Sequence, residues 1–328
     1  IGRILREKYG VNTLTYVDDV LVIGSDRADT ARGMKILADL LERLGVCLAP
    51  WKTEGPTRAI EFLGLRLSNF PEERSIGLPQ KKLDKNLALL DRFLARRVGE
   101  TVPPRELAEL LGNLNFAAQV VEGGASFLDR MYNQFRGAII DWKRGLVRID
   151  DRGQPMLVTA EALEEARWWR DNLSRRHTIP LLWSAREDVP AVMSGTDAST
   201  VKGGRLIWLC GQREESTHTN TVWEQRTPIN YRELCSAVQI AEEWGPRLRG
   251  RRLVIETDNT STMYNIRKGR AGTRLAAEQL RRLYSRAAVH GFDVRIVHTP
   301  GVRLERPDAT SRGSTSAAPC QRLRATAF

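Results

Sequence analysis

The second half of this sequence limits the possible folds most, because short apolar strands alternate there with amphipathic helices and acids stand at strand ends. One apolar run, over residues 191–199, ends near Asp197, and another, over 252–259, ends on Asp258. A helix that begins near Asn230 places Glu233 in its first turn. This alternation predicts a mixed α/β sheet, in which neighbouring strands would bring the two aspartates together.

A fourth acid extends this set. Asp308 opens a last short helix, where the helix dipole favours a negative charge. Four acids on separate elements would repel one another until cations bind. Oxygen-only ligands favour Mg²⁺ or Mn²⁺ over zinc, and two such ions about 4 Å apart can activate water for phosphodiester hydrolysis. Each acid taken alone is equally compatible with a solvated surface group.

Paired aspartates also occur near the start of the chain. Asp18 and Asp19 stand where two β-branched runs meet, which predicts a β-hairpin with both carboxylates at its tip. A polar turn is the alternative interpretation of the pair alone. Adjacent acids that stay ionised favour a nearby cation.

Composition narrows the class of partner. The 328 residues are 41% hydrophobic and 28% charged, as in a globular protein of two or three domains. The net charge of +11 favours polyanions, nucleic acid first and acidic membrane second. The four cysteines are far apart, which argues against a zinc site or disulfide framework. No apolar run is long enough for a membrane span, so we expect no membrane partner.

Helical periodicity dominates residues 79–149, where leucines form stripes and Lys81 and Lys82 lie beside the first stripe. The lysines fit either a solvated face or contacts to phosphates. A helix is predicted over 160–175, with Trp168 and Trp169 as core anchors.

Earlier in the chain, the pattern predicts a helix over 29–44 that Gly45 ends. A short strand near Val46–Leu48 and one strand around Phe62–Leu67 are expected to follow.

Several segments resemble reverse transcriptases of retroelements. Tyr16-Val17-Asp18-Asp19 resembles their Tyr-X-Asp-Asp box, Phe62-Leu63-Gly64 resembles the primer-gripping strand segment, and residues 78–83 resemble the entry into the thumb. The resemblance implies that Asp18 and Asp19 are magnesium ligands for phosphoryl transfer. It also implies that Tyr16, Lys81 and Lys82 contact a template–primer duplex. In the family a further aspartate lies well upstream, whereas about fifteen residues precede the box here. We therefore expect an incomplete polymerase site.

The acids of the second half resemble the Asp-Glu-Asp-Asp site of ribonuclease H domains. The resemblance implies Asp197, Glu233, Asp258 and Asp308 as metal ligands, with His298, ten positions before Asp308, assisting proton transfer or product release. His298 alone also fits an ordinary surface histidine. Leu304 stands where an asparagine is usual and Pro307 where an alanine is usual, so the final loop departs from the family pattern.

The substrate implied by this resemblance is RNA paired to DNA, recognised by shape, 2′-hydroxyls and backbone charge. Basic side chains cluster around a Gly-containing turn that follows the strand and helix carrying Asp258, and we expect them to bind the hybrid or to form only a solvated face. They are Arg267, Lys268, Arg270 and Arg274.

The expected fold is therefore a multidomain α/β and α+β chain. Its predicted parts are a partial reverse-transcriptase palm over 1–78, a helical thumb or connection over 79–149, a connector over 150–188, a ribonuclease H-like domain over 189–313 and a disordered tail over 314–328. Residues 106–112 and 116–121 resemble retrotransposons of the DIRS kind.

The leading hypothesis is a C-terminal part of a retrotransposon polyprotein with Mg²⁺-dependent ribonuclease H activity. Its location would be intracellular, either cytoplasmic or nuclear. An inactive or domesticated nucleic-acid-binding remnant is the alternative, and full RNA-directed DNA polymerase activity is a third hypothesis.

Overall fold

The computed structural model describes residues 1–71, 74–135, 139–141, 146–148, 156–180 and 189–300. Its helices are α1 Gly2–Tyr9, α2 Arg27–Arg43, α3 Gln80–Leu94, α4 Pro104–Ala117, α5 Asp129–Tyr132, α6 Ala160–Leu173, α7 Val222–Gln225, α8 Ile229–Trp244, α9 Thr260–Lys268 and α10 Arg274–His290. Its strands are β1 Asn12–Tyr16, β2 Asp19–Ile23, β3 Ala59–Phe62, β4 Leu65–Asn69, β5 Arg74–Gly77, β6 Ile139–Asp141, β7 Leu146–Arg148, β8 Thr178–Pro180, β9 Ala191–Ala198, β10 Lys202–Leu209, β11 Gln212–Thr219, β12 Arg252–Thr257 and β13 Asp293–His298.

The chain divides into two compact units. Of the described residues, those within 1–88 and 173–180 form the first unit, and those within 89–172 and 189–300 form the second. In the first unit, β1 and β2 form a hairpin, and a separate antiparallel sheet has the order β3-β4-β5-β8. Helix α2 is capped by Asp26, whose carboxylate accepts the Asp29 backbone N–H at 2.8 Å. Its Leu37 and Leu41 join the small core around Leu5.

Two predictions for the first unit are wrong. Residues 46–48 form no strand, because Val46 and Leu48 are exposed and none of the described strands pairs with them. The single strand expected around 62–67 is instead a hairpin, in which Phe62 pairs with Leu65. Leu63 and Gly64 form its turn with φ of 50° and 75°, the left-handed backbone of a two-residue hairpin turn.

Helices form the first part of the second unit, as the periodicity predicts. Leu107, Leu110 and Leu114 of α4 are each at most 1% exposed. Trp169 of α6 is fully buried and donates its indole N–H to the Phe127 carbonyl oxygen at 2.8 Å, while Trp168 stacks on the Phe127 ring at 3.7 Å. Trp169 is therefore a core anchor and half-buried Trp168 packs beside it, in agreement with their predicted role as core or interface anchors.

The helical prediction fails for residues 139–141, which pair with 146–148 as an antiparallel ladder, β6 with β7. The β-branched Ile139, Ile140 and Val147 favour this extended backbone.

The rest of the second unit is built on a five-stranded mixed sheet with the order β11-β10-β9-β12-β13. The first three strands form an antiparallel meander, whereas β12 runs parallel to β9 and β13 parallel to β12. The sequence pattern did not predict β11, because Gln212–Thr219 is polar throughout and lies at the sheet edge. Helix α8 packs on β9 and β10, where nearly buried Arg205 binds Gln239 and Glu243.

A buried acid holds the start of α5. Glu165 of α6 is 1% exposed, and its carboxylate accepts the backbone N–H groups of Arg130 and Met131 at 3.0 Å. Burial raises the pKa of Glu165 to about 7, although these N–H groups and nearby Arg281 act to lower it. Between the ordinary value of 4.5 and about 7, the folded state therefore holds this proton more tightly than the unfolded chain does.

The raised pKa of Glu165 predicts a pH-dependent stability. The contribution of the proton on Glu165 to the free energy of unfolding is present at low pH and is lost as the pH rises through about 7. From pH 5 to pH 8, we expect the free energy of unfolding to fall by about 2–3 kcal/mol more in the wild type than in Glu165→Gln. Urea unfolding at both pH values measures this, with exposed Glu164→Gln as the matched control. Equal pH dependence in the wild type and Glu165→Gln would contradict the assignment.

Candidate active site

The sheet brings the two predicted strand-end aspartates together. Strands β9 and β12 are parallel neighbours, with Ile255 opposite Ser194 and Glu256 opposite Gly195. Asp197 is the penultimate residue of β9, and Asp258 directly follows β12. Both aspartates therefore lie at the C-terminal ends of two adjacent parallel strands, as the sequence pattern predicted.

Helix α8 supplies a third carboxylate. Glu233 is 3% exposed, and its Oε1 accepts the Ala198 backbone N–H at 2.9 Å, which fixes the side chain against the end of β9. One carboxylate oxygen from each of Asp197, Glu233 and Asp258 lies within 4.8 Å of the others. Glu233 is buried, Asp197 half-buried and Asp258 exposed, so the cluster opens to solvent on the Asp258 side.

The electrostatics of this cluster are unfavourable without a cation. Burial, together with the negative charges of Asp197 and Asp258, raises the pKa of Glu233 to about 8, although the Ala198 N–H acts to lower it. No group among the described residues donates a hydrogen bond to the buried Oε2 of Glu233. A buried acceptor of this kind is costly unless a cation or donor satisfies it. The three acids thus offer the oxygen-only donor set that suits a hard divalent cation.

Amide side chains hold the elements of the cluster together. Asn259 caps α9 by accepting the Thr262 N–H at 2.8 Å and donates its own amide to Asn230 Oδ1 at 2.8 Å. Because Asn259 follows Asp258 and Asn230 lies in the first turn of α8, this bond links the two elements that carry Asp258 and Glu233. Neither asparagine was predicted to have a role, although an Asn directly before a helical run is a typical N-cap.

His298 lies beside the cluster. It ends β13, where it is opposite Thr257 in the parallel register. Its Nε2 is 3.1 Å from the Asp258 carbonyl oxygen, which can only accept, so Nε2 carries the proton and donates. The ring is exposed. Asp308, the fourth predicted acid, lies outside the described residues, as do Leu304, Pro307 and the tail predicted over 314–328.

The aspartates of the first unit are arranged differently. Tyr16 pairs with Asp19 across the β1–β2 hairpin, which leaves Val17 and Asp18 as the turn. Asp19 therefore belongs to a strand, and only Asp18 lies at the tip. Both acids and Tyr16 are exposed. Among the described residues, neither acid belongs to a group of three possible metal ligands.

The predicted basic contacts lie on helix ends. Lys81 and Lys82 occupy the first turn of α3, and Lys81 is exposed. Arg267 and Lys268 end α9, Arg270 follows in the turn, and Arg274 begins α10. All four of these latter side chains are exposed. The Lys268 ammonium nitrogen lies 5.7 Å from the ring centre of Tyr264. Tyr264 is exposed and was not among the predicted nucleic-acid-binding residues.

No family model matches this sequence. A foamy viral protease-reverse transcriptase in complex with double-stranded DNA aligns with 90% of the chain at 14% identity and a TM-score of 0.44. The chain spans 47% of that protein. RNase H1 from the halophilic archaeon Halobacterium salinarum aligns with 38% of the chain at 15% identity and a TM-score of 0.31, over 96% of its own length. LC11-RNase H1 in complex with an RNA/DNA hybrid aligns with 38% of the chain at 13% identity and a TM-score of 0.32, over 94% of its own length.

Among the described helices, none is both long enough and apolar enough to span a membrane.

Proposed function

We propose that this chain is a divalent-metal-dependent nuclease of the ribonuclease H type, which hydrolyses the RNA strand of RNA–DNA hybrids. The observation that carries the proposal is the cluster of Asp197, Glu233 and Asp258, whose carboxylate oxygens lie within 4.8 Å of one another. The buried Oε2 of Glu233, which receives no hydrogen bond from the described part of the chain, supports its role as a cation ligand.

Each side chain has a defined part in this proposal. Asp197, Glu233 and Asp258 would hold Mg²⁺ or Mn²⁺, with Asp308 as the fourth ligand. When bound, such ions lower the pKa of water and stabilise the leaving oxygen. Glu233 is held in place by the Ala198 N–H, so the site is preorganised on the side of the sheet. His298 donates from Nε2 to the Asp258 carbonyl, which leaves Nδ1 to exchange a proton with the reacting groups.

The net charge of +11 and the exposed turn between α9 and α10 support a nucleic-acid substrate. That turn would bind the phosphate backbone of the hybrid through its basic side chains, Arg267, Lys268, Arg270 and Arg274. The chain would derive from a retroelement reverse transcriptase, and the resemblance of residues 106–112 and 116–121 favours a DIRS-like element. In the intact parent, Asp18 and Asp19 would hold the polymerase metals, with Tyr16, Lys81 and Lys82 at the template–primer duplex.

Metal dependence tests the proposed activity. Purified chain is incubated with a hybrid whose RNA strand is end-labelled, in Mg²⁺, in Mn²⁺ and in excess EDTA. We expect shortened RNA in both metals and intact RNA in EDTA, because the carboxylate cluster needs a cation to act on phosphate. Intact RNA in all three conditions, with a known nuclease active in the same buffer, would refute the proposal.

A nucleic-acid-binding remnant is the second candidate function, and the basic turn favours it if metal affinity has been lost. Calorimetric titration with Mg²⁺ or Mn²⁺ separates the two functions. The nuclease proposal predicts binding to the wild type and much weaker binding to Asp258→Asn. The remnant predicts no metal binding by either protein, together with unchanged affinity for the hybrid.

A further inference from the structure

The turn between α9 and α10 lies at a fixed distance from the acidic cluster. Helix α9 begins two residues after Asp258 and runs for nine residues to Lys268. Its axial rise is therefore about 13 Å. This corresponds to roughly four base pairs along a duplex, at about 3.4 Å per nucleotide of each strand. A duplex that lies along α9 with one phosphate at the acids would therefore bring another phosphate to the turn.

A segment outside the sheet holds the end of this helix. Ser126 donates its hydroxyl to the Gly269 carbonyl oxygen at 2.6 Å, in a buried hydrogen bond between residues 143 positions apart. Gly269 has a φ of +61° and caps α9. A Cβ atom placed on it would lie 3.6 Å from Ala125 and from the Ser126 hydroxyl, so the turn sits directly on these residues. We call residues 122–127 the brace.

The brace is itself fixed to the sheet and to α10. Glu122 accepts the Val294 backbone N–H at 2.8 Å, at the start of β13. Gly123, with a φ of +74°, lies so close to the ring of Tyr284 that any Cβ atom would collide with it. Tyr284 in turn donates its hydroxyl to the Ile266 carbonyl oxygen in α9 at 2.5 Å. The brace therefore contacts both helices that the turn connects.

A second contact orients one of the basic side chains. The Arg270 guanidinium donates to Asn115 Oδ1, and Asn115 is an exposed residue of α4. Asn115 lies outside the brace, and its side chain is not part of the core. This hydrogen bond therefore orients the cationic side chain of Arg270 and adds nothing to the packed core.

We propose that the brace and Asn115 position the basic turn for nucleic acid, so that affinity for the hybrid depends on residues outside the ribonuclease H-like domain. This inference rests on the proposed role of the turn in hybrid binding. Ser126 acts through Gly269 and Asn115 acts through Arg270, and both are positioning residues. The rival explanation is packing alone, in which Ser126 stabilises the fold without affecting the cations.

Coupling between variants distinguishes positioning from packing. If Ser126 acts through the turn, part of its effect on affinity passes through Lys268, so Ser126→Ala and Lys268→Ala have less than additive effects on affinity. If Ser126 serves packing alone, any effect on affinity adds to that of Lys268→Ala. Asn115→Ala and Arg270→Ala form a second double-mutant cycle. Both residues are exposed, so this cycle can still be measured if Ser126→Ala folds poorly.

The experiment measures the dissociation constant of the full chain for a fluorescent RNA–DNA hybrid by anisotropy, without metal and at several salt concentrations. We expect Lys268→Ala to weaken binding about 5-fold and to flatten the salt dependence by about one phosphate contact. Ser126→Ala should weaken binding about 3-fold, and in the Lys268→Ala background it should weaken binding by clearly less than 3-fold, because one of the cations that it positions is already absent. Ser285→Ala, on α10 away from the turn, is the matched control and should bind as the wild type.

Metal-free binding keeps this test separate from hydrolysis. A chain that binds the hybrid with the expected coupling but leaves RNA uncut in Mg²⁺ supports the inference and refutes the proposed nuclease. Additive effects in both cycles overturn the inference, whatever the chain cleaves. Unchanged affinity in Lys268→Ala and Arg270→Ala overturns it as well, because the turn would then bind no phosphate.

Discussion

Asp258→Asn is expected to reduce Mg²⁺-dependent cleavage of the RNA strand by about 1,000-fold or more, because one of the charged oxygens that would hold the cation is lost. Asp258 is the exposed member of the cluster, so the substitution leaves the buried Glu233 contact with Ala198 intact. The fold should therefore be retained. Single-turnover cleavage of an end-labelled hybrid, with thermal unfolding as the check on folding, measures both effects.

Asp39→Asn is the matched control for this prediction. Asp39 is exposed on α2 in the first unit, and the substitution makes the same chemical change. It should cleave at the wild-type rate. Cleavage by Asp258→Asn within about 3-fold of the wild type would contradict the role of Asp258 as a metal ligand.

Glu233→Gln is expected to have opposite effects on activity and on metal-free stability. Cleavage should fall by about 1,000-fold, since a neutral amide is a poor ligand for a hard cation. In EDTA at pH 8, however, the variant should be more stable than the wild type by about 3 kcal/mol, because it removes a buried charge beside two other carboxylates. The amide oxygen can still accept the Ala198 N–H.

Urea unfolding in EDTA and in Mg²⁺ measures this reversal. Mg²⁺ should raise the free energy of unfolding of the wild type and leave that of Glu233→Gln nearly unchanged. Glu161→Gln, an exposed substitution on α6, should respond to Mg²⁺ as the wild type does. A Glu233→Gln variant that is less stable than the wild type in EDTA would show that the buried acid stabilises the metal-free fold.

The sequence predicted the acidic cluster because its members stand at recognisable places. Asp197 and Asp258 end apolar strands, and Glu233 follows a helix start, so their element types could be assigned from local pattern. Their proximity required β9 and β12 to be neighbours although β10 and β11 lie between them in the chain. Only the strand and helix pattern of the whole domain indicated that β9 and β12 are neighbours. Strand β11 is polar and has no apolar periodicity, so the sequence pattern did not predict it.

Other features could not be predicted from local sequence. Leu63 adopts a left-handed backbone in the β3–β4 turn, which nothing in an apolar Phe-Leu-Gly run indicates. The hydrogen bond between Ser126 and Gly269 joins residues 143 positions apart, and a serine in a glycine-rich segment has no distinctive pattern. Such contacts depend on tertiary packing, so the brace became visible only in the structure.

Substrate choice by the wild-type chain tests the central claim most directly. Four labelled substrates of one sequence are compared in Mg²⁺: an RNA–DNA hybrid, double-stranded RNA, double-stranded DNA and single-stranded RNA. The account predicts that only the RNA strand of the hybrid is shortened and that Asp258→Asn shortens none of the four. Cleavage of every RNA substrate alike, or equal cleavage by Asp258→Asn, would contradict it.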